Sequence, residues 1–173
     1  MTEVKQTKNV LTRDMIRNEL QHITKASVKV NIVFLISMSV ICVPFILLGI
    51  AGMSDSIVFG TLLVLILVTP LAFLTKMLID SIIEKNMVEK GEFYIIKDTV
   101  SRLSRGEPAG RYRTVDVLYF TKLGRHVPSK TVFDLSSVGD EFYLVLIAKR
   151  KLQITFAYHT MMYECNDVDD VEL

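Results

Sequence analysis

Two long apolar runs dominate the distribution of apolar and polar positions along the chain. They cover Ile32–Gly52 and Ile57–Thr75, and the short segment Met53-Ser54-Asp55-Ser56 separates them. Neither run contains Asp, Glu, Lys, Arg or His. A bilayer core about 30 Å thick requires roughly 20 apolar residues in a helix that rises about 1.5 Å per residue. The pattern therefore predicts a transmembrane helical hairpin.

The second helix is predicted to extend beyond its apolar run, from about Ser56 to Lys90, because an apolar stripe continues between charged residues. Gly91 suits the residue after a helix end, and Lys90 suits the negative end of the helix dipole. Residues 31–90 thus form the predicted hairpin and its juxtamembrane extension. Pro44 and Pro70 are expected to kink the spans. Proline is tolerated in membrane helices, but paired kinks also fit a moving pair in a transporter.

Residues 1–30 are predicted to contain a cytoplasmic amphipathic helix from Val10 to Ala26, with Thr12 as its N-cap. Its apolar stripe comprises Leu11, Met15, Ile16, Leu20 and Ile23. Two interpretations stay open. The helix lies in the membrane interface, or it packs against the protein's own soluble domain. The long polar segment before the first span, and the length of that span, are unlike a cleaved signal peptide.

Lys and Arg residues predict the orientation of the hairpin. Six precede the first span, none lies between the spans, and many follow the second: the six are Lys5, Lys8, Arg13, Arg17, Lys25 and Lys29. The positive-inside rule places both termini in the cytoplasm, so the chain is predicted to be integral to the cytoplasmic membrane. Cys42 lies inside a span and Cys165 in an acidic tail, so no disulfide is expected, as on the reducing side of a membrane.

After Gly91 the apolar period changes from helical to alternating, which predicts a cytoplasmic β domain over residues 91–163. About five antiparallel strands are expected to form a small barrel or a curled sheet. The predicted strands are Glu92–Leu103, Tyr112–Leu123, a weaker one around Thr131–Leu135, Glu141–Ala148 and Leu152–Tyr158. The predicted connections include a loop at Ser104–Arg111, a turn at Gly124-Arg125-His126 and a charged hairpin tip at Lys149-Arg150-Lys151. Glu141–Ala148 is apolar on both faces, which is typical of a central strand. Residues 164–173 are predicted to be a solvated acidic tail. The fold class is therefore an α+β membrane protein.

Charge and residue chemistry exclude several functions. The chain has 20 basic and 19 acidic residues, and this near-neutral balance argues against a dedicated nucleic-acid binder. His22, His126 and His159 fall in separate segments without metal-ligand spacing. The sequence has no P-loop, dinucleotide glycine motif, HExxH or GxSxG. No catalytic, cofactor or metal site is predicted.

One cationic cluster remains as a candidate contact site. Arg102, Arg105, Arg111 and Arg113 flank a loop that contains glycine and proline. Such clusters commonly serve only solubility, and the alternative is contact with anionic lipid headgroups or an acidic protein partner.

The stretch Val138–Val145, followed by Tyr158, resembles a pattern in uncharacterised small bacterial membrane proteins. In those proteins two spans precede a compact β domain with a Gly-Asp turn before its core strand. The resemblance covers roughly residues 30–163 and implies this architecture, without an activity. The Gly139-Asp140 turn also resembles those of small SH3- or OB-like barrels.

Two functions follow from these observations. The first is a non-enzymatic membrane-anchored interaction module whose cytoplasmic β domain binds a protein partner or the membrane surface. The alternative is an auxiliary or regulatory subunit of a larger membrane transporter complex. A membrane enzyme ranks last, because no nucleophile, metal set or paired acids is recognised.

Overall fold

The structure, a computed structural model, describes residues 8–54, 56–147 and 153–170. The chain divides into two compact units. One unit contains the N-terminal segment up to Arg17 together with the chain from Gly91 onward, and the other is Asn18–Lys90. The α+β layout is confirmed, with two long apolar helices followed by a five-stranded antiparallel sheet.

Helix α1 spans Arg13–Ala51, a short 3₁₀ turn covers Gly52–Ser54, and helix α2 spans Ile57–Lys90. Each helix begins at a side-chain cap. Thr12 Oγ1 accepts a hydrogen bond from the Met15 amide at 3.3 Å, and Ser56 Oγ accepts one from the Phe59 amide at 3.4 Å. After Lys90, Gly91 has a φ of 78°, a left-handed conformation that ends helices at little cost for glycine. The predicted cap and helix end are confirmed.

The N-terminal segment differs from its prediction in two respects. Helix α1 continues without interruption past residue 30, so no separate N-terminal helix exists. Its buried positions also differ, because Ile16, Leu20 and Thr24 are buried at four-residue intervals, whereas Met15 and Ile23 are exposed. The Thr24 hydroxyl donates to the Leu20 carbonyl at 2.9 Å, which allows a polar side chain to be buried there.

The helical unit is held by small and polar side chains. A Cβ built on Gly60 would lie 2.6 Å from the Gly49 carbonyl oxygen, so the two backbones approach where only glycine fits. Asn31 Nδ2 donates to Ser81 Oγ at 2.8 Å, and Ser27 Oγ lies 3.3 Å from the same Ser81 oxygen. The helices are therefore joined by a glycine contact and by a polar contact between hydroxyl and amide groups.

The five-stranded sheet has the order β4-β3-β2-β5-β6 with antiparallel neighbours throughout. Its strands are β2 (Tyr94–Pro108), β3 (Thr114–Phe120), β4 (Gly124–His126), β5 (Glu141–Leu146) and β6 (Ile154–His159). No ladder joins β4 to β6 in the described part of the chain, so the sheet is not a closed barrel.

Two predicted connections and one predicted strand of the β domain are wrong. Ser104–Pro108 belongs to β2 rather than to a loop, because Gly106, at a φ of 68°, forms a bulge that keeps the strand paired. Gly124–His126 is β4 rather than a turn, and the turn precedes it at Thr121–Leu123. The weak strand around Thr131–Leu135 is instead a short helix, α3, Lys130–Asp134.

Helix α3 forms because Ser129 caps it, with its side chain accepting from the Val132 amide at 3.4 Å. Its Phe133 enters the main core of the sheet, which consists of Ile96, Val100, Leu118, Phe120, Phe133, Phe142, Leu144, Leu146 and Ile154. Phe142, Leu144 and Leu146 all belong to this core, so they share one face of β5. On the opposite face, Ile95, Val117 and Val145 are fully buried, so both faces are covered around β5, as expected for an interior strand.

Strand β6 departs from the simple alternation of its sequence. Leu146 pairs with Ile154, but Val145 pairs with Phe156, which leaves Thr155 as a bulge. Beyond the bulge the buried side is that of Ala157 and His159 rather than that of Phe156 and Tyr158. The predicted charged hairpin tip at Lys149-Arg150-Lys151, and Leu152, lie outside the described residues.

The acidic C-terminal segment is not simply a solvated tail. Residues Tyr163–Cys165 form β7, which pairs in parallel with β1, Asn9–Leu11. Cys165 is buried, and burial raises the pKa of its thiol despite a hydrogen bond from the backbone of Asp167. This pairing makes the N-terminal residues part of the β domain.

Asp169 fastens the same segment to the sheet. Its Oδ1 accepts a hydrogen bond from Arg13 Nη1 at 3.0 Å, and its Oδ2 accepts one from the Ile95 amide at 2.8 Å. Arg13 also donates to the Phe93 carbonyl at 2.8 Å and lies 5.0 Å above the Phe93 ring. The β domain is therefore assembled from both ends of the chain, and a fragment starting at Gly91 lacks β1 and Arg13.

Candidate functional site

The four arginines of the predicted contact site all lie on one β-hairpin, which β2 and β3 form. Arg102 and Arg105 lie on β2, and Arg111 and Arg113 lie in the connection between the strands. The hairpin extends beyond the central sheet, because β5 pairs with β2 only from Tyr94 to Thr99. We call this projecting hairpin, residues 100–120, the arm. The structure thus places all four arginines on the arm but separates them into two pairs.

Arg102 is held by neighbouring side chains on the arm. Its Nη2 lies 3.6 Å from Glu107 Oε1, and its Cζ lies 4.2 Å from the centre of the Tyr119 ring. The Tyr119 hydroxyl donates to the same carboxylate, at 2.9 and 3.0 Å to its two oxygens. Hydrogen bonds from the side chains of Ser104 and Tyr119, assisted by the charges of Arg125 and Arg102, lower the pKa of Glu107. Arg102 is therefore matched by an ionised partner.

Arg105 has a similar structural partner. Its Nη2 donates to Asp134 Oδ1 at 2.9 Å, and its Cζ lies 5.5 Å from the centre of the Phe133 ring. Asp134 is the last residue of α3. Arg105 therefore connects the arm to α3, although 73% of its side chain remains exposed.

Arg111 and Arg113 occupy the tip of the arm, on either side of Tyr112. All three are exposed, and Tyr112 is 96% exposed. The Ala109 amide donates to the Arg113 carbonyl at 2.7 Å, and Gly110 takes a φ of 94°, so the connection is a closed turn. No ion pair of Arg111 or Arg113 is found within residues 8–54, 56–147 and 153–170.

The alternating pattern places Tyr112 at the start of a strand, so this residue is missing from the predicted site. A signal was nevertheless present, since Pro108-Ala109-Gly110 is a turn sequence and an aromatic residue between two arginines follows it. An aromatic residue in a turn has no core to enter. Arg-Tyr-Arg directly after a turn sequence therefore indicates an exposed aromatic residue.

Buried ionisable groups in the β domain have structural roles. Asp98 is 4% exposed, and its oxygens accept from the amides of Thr99, Lys122 and Leu123 at 2.8, 2.9 and 3.1 Å. It thereby stabilises the turn between β3 and β4, whose amides would otherwise lack partners.

The buried His159 is paired with the partly buried Asp140. His159 Nε2 lies 3.1 Å from Asp140 Oδ2, and His159 Nδ1 accepts from the Met161 amide at 3.1 Å. An Nδ1 that accepts carries no proton, so Nε2 carries it and donates to Asp140. Asp140 Oδ2 also accepts from the Ser137 amide at 2.7 Å. The pair thus joins the turn before β5 to the end of β6. Across the described ranges, no group of three or more His, Cys, Asp and Glu side chains is placed to hold a metal ion.

Comparison of the chain with protein-family models, with curated proteins and with solved structures found no match. The resemblance to small bacterial membrane proteins therefore stays a prediction, and function is inferred from the geometry of this chain.

Proposed function

We propose that this protein is a non-enzymatic membrane-anchored interaction module. Its helical hairpin is inserted in the cytoplasmic membrane, and its β domain lies in the cytoplasm, where it binds a protein partner or the membrane surface. The observation that carries the proposal is the exposure of the helical hairpin. In the most apolar 18-residue windows of α1 and α2, only 11% and 6% of the residues are buried.

This exposure argues against a soluble protein with two core helices, because core helices are enclosed on most sides. Large apolar side chains on both helices are more than half exposed, including Val33, Phe34, Leu47, Phe59 and Phe73. Exposing such surface to water costs about 25 cal/mol per Å². A bilayer removes that cost. Helix lengths of 39 and 34 residues correspond to roughly 58 and 51 Å, which exceed the bilayer core of about 30 Å.

The polar groups of the helices are also suited to a lipid environment. The hydroxyl groups of Thr69 and Thr75 donate to the carbonyls of Leu65 and Leu71, at 2.7 and 2.8 Å. A polar group in lipid requires such an internal partner, because no water is available to replace it. These contacts therefore support insertion of the hairpin.

The proposed orientation rests on the distribution of Lys and Arg. The connection between the helices contains neither residue, whereas both flanks of the hairpin are basic. The connection is therefore proposed to lie outside the cytoplasm, with both termini inside. Asp98, Asp140 and His159 are engaged in structural hydrogen bonds, which supports a binding module rather than an enzyme.

Engineered cysteines test this proposal in intact cells. Cys42 and Cys165 are both buried, so they make poor reporters and are replaced by Ala. A cysteine at Ser54 is expected to react with a membrane-impermeant thiol reagent in intact cells. A cysteine at the exposed Lys122 should react only after permeabilisation. Labelling of Lys122→Cys in intact cells contradicts the orientation, and release of the protein by alkaline carbonate contradicts insertion.

The exposed apolar surface of the hairpin also supports the alternative of an auxiliary subunit, because another membrane protein is able to cover it as lipid does. Purification in mild detergent followed by identification of bound proteins separates the two functions. A stable integral membrane partner favours the auxiliary subunit. A soluble partner favours the interaction module.

A further inference from the structure

We infer that the tip of the β2–β3 arm, Ala109–Arg113, is a binding site for an anionic bilayer surface, with Tyr112 entering the interface between the Arg111 and Arg113 side chains. This inference rests on the proposed membrane insertion of the helical hairpin. The contact site predicted from the sequence had four arginines, and the inferred site keeps two of them and adds one tyrosine.

The charge at the tip favours an anionic surface. Arg102 and Arg105 are matched by Glu107 and Asp134, so they present little unbalanced charge. No acidic residue lies between Pro108 and Val115. The acids that flank this interval are engaged on the arm, since Glu107 contacts Arg102 and Asp116 Oδ1 accepts from the Gly106 amide at 2.9 Å. The tip therefore carries two positive charges and no acidic residue of its own.

The position of Tyr112 favours a bilayer interface. A tyrosine that is 96% exposed loses the hydrophobic stabilisation of its ring unless something else covers it. The bilayer interface suits this side chain, because the ring enters the boundary of the acyl chains while the hydroxyl stays among hydrated headgroups. The closed turn holds Tyr112 at the end of a paired hairpin, so little conformational entropy is lost when it inserts.

The small size of the tip restricts what it is able to bind. A specific protein partner commonly covers about 800 Å² on each side. A five-residue convex tip offers much less, whereas a bilayer accommodates a narrow tip without a matching pocket. The cytoplasmic leaflet is negatively charged, and a chain inserted in the same membrane meets it at high effective concentration. A bilayer surface therefore fits the tip better than an acidic protein does.

Fluorescence of the full-length chain tests the inference, because the sequence contains no tryptophan. Tyr112→Trp is reconstituted in nanodiscs of neutral phosphatidylcholine, or of phosphatidylcholine with roughly a third of anionic phosphatidylglycerol, a lipid that supplies the negative surface potential. Met161→Trp, at another exposed turn, is the control reporter. In anionic nanodiscs, the emission of the Tyr112→Trp protein is expected to shift to the blue and to be quenched by brominated lipid. The emission of the Met161→Trp protein is not. Added salt should weaken the effect.

Charge reversal supplies the second comparison. In the Tyr112→Trp background, R111E/R113E should lower the ratio of inserted to free tip at least about 30-fold, since each basic residue near an anionic surface favours contact by close to a factor of five. K122E/K130E makes the same change in net charge at exposed positions outside the tip and should leave the ratio within about threefold of its starting value.

Each outcome decides one claim. If the chain does not stay in the nanodisc, membrane insertion is wrong and the inference fails with it. If the chain is inserted but the Tyr112→Trp reporter is not quenched in anionic lipid at low salt, the inference alone is wrong. Equal quenching of the two reporters, or equal loss in the two charge-reversed variants, contradicts a site at the tip. Crosslinking of position 112 to an acidic protein, with no quenching by lipid, assigns the tip to that protein instead.

Discussion

The helical unit and the β domain place the same kinds of apolar side chain in opposite environments. In α1 and α2, residues such as Leu47 and Phe59 point outward and are more than 60% exposed. In the sheet, Phe142 and Leu144 are fully enclosed. Apolar surface is driven out of water wherever it lies. The proposed insertion of the hairpin in a bilayer accounts for the difference between the two units.

The two regions also treat polar groups differently. The β domain buries a carboxylate, Asp98, with three amides as partners, and the cost of burying its charge is offset by those hydrogen bonds. The helical unit buries neutral groups, such as Ser81 and Thr24. Both residues lie outside the apolar runs, and the runs themselves contain no Asp, Glu, Lys, Arg or His. Ionised groups are costly in lipid, so this absence agrees with the proposed insertion of the hairpin.

Truncation of matched leucines should give the largest difference between the regions. Leu144→Ala removes a fully buried side chain and should lower the free energy of unfolding of the β domain by about 2–5 kcal/mol, through lost burial and a residual cavity. Leu47→Ala, on the exposed surface of α1, should change stability by less than about 1 kcal/mol. Urea titration of the full-length chain in detergent, with unfolding monitored by proteolysis of the β domain, measures the first effect. Separation of the helices on addition of dodecyl sulfate measures the second. Equal effects would contradict the contrast between an enclosed and an exposed surface.

Asp98→Asn should have the next largest effect. The substitution preserves the volume of the side chain, but it places an amide NH₂ group where the carboxylate accepts from backbone amides. Hydrogen bonds to charged groups contribute about 1.5–3 kcal/mol. The same titration should show that the free energy of unfolding falls by about this amount. Asp170→Asn, at an exposed position, is the control and should be neutral. An unchanged midpoint for Asp98→Asn would mean that Asp98 does not hold the turn between β3 and β4.

Gly60→Ala tests the packing of the helical hairpin. The added methyl group would lie 2.6 Å from both the Gly49 carbonyl oxygen and Met53 Cγ, and such overpacking costs about 1–3 kcal/mol. Gly52→Ala is the matched control, because its Cβ would meet no atom within 4 Å. Dodecyl sulfate is added to separate the helices, and their separation is monitored by energy transfer between labels on the two helices. The concentration required measures the stability of the packed hairpin. Equal stability of the two variants would contradict the close approach at Gly49 and Gly60.

The smallest expected effect is a pH dependence confined to the β domain. Burial lowers the pKa of His126, and a hydrogen bond with the Ile154 backbone opposes this only in part. The folded state therefore binds fewer protons than the unfolded state once the pH falls below the ordinary histidine value of about 6.5. Stability should decline as the pH falls from about 7 toward the lowered pKa of His126. His126→Gln should reduce this decline, and His22→Gln, at an exposed position, should not. The same slope in all three proteins would assign it to other groups.

Several local signals in the sequence were sufficient to predict elements of the fold. The uncharged runs, Thr12 and Gly91 predicted the helices and their ends, because length, capping and left-handed backbone depend on neighbouring residues alone. The apolar run on both faces of Glu141–Ala148 predicted a central strand for the same reason, and β5 lies inside the sheet, between β2 and β6. The positions of four arginines on one arm could also be predicted, since a hairpin joins consecutive strands.

Other features depended on residues far apart in the sequence. β1 pairs with β7, and Arg13 binds Asp169, 156 residues away. No local pattern contains that information. The bulge at Gly106 prolonged β2 beyond its predicted end, and the bulge at Thr155 changed which side of β6 is buried. In both cases the partner strand determined the register. Helix α3 replaced a predicted strand because Ser129 caps its first turn and Phe133 is buried in the core, and together these override a weak local preference for strand.

The division within the arginine cluster shows the same limit of local information. The order of residues alone establishes that four cations and a tyrosine lie near one turn. Three-dimensional packing brings Glu107 and Asp134 to Arg102 and Arg105, and it leaves Arg111, Tyr112 and Arg113 beyond those acids. Charge and residue type are properties of the sequence. Pairing and exposure depend on which side chains the fold brings within a few ångströms, and Asp134 is 29 residues from its arginine.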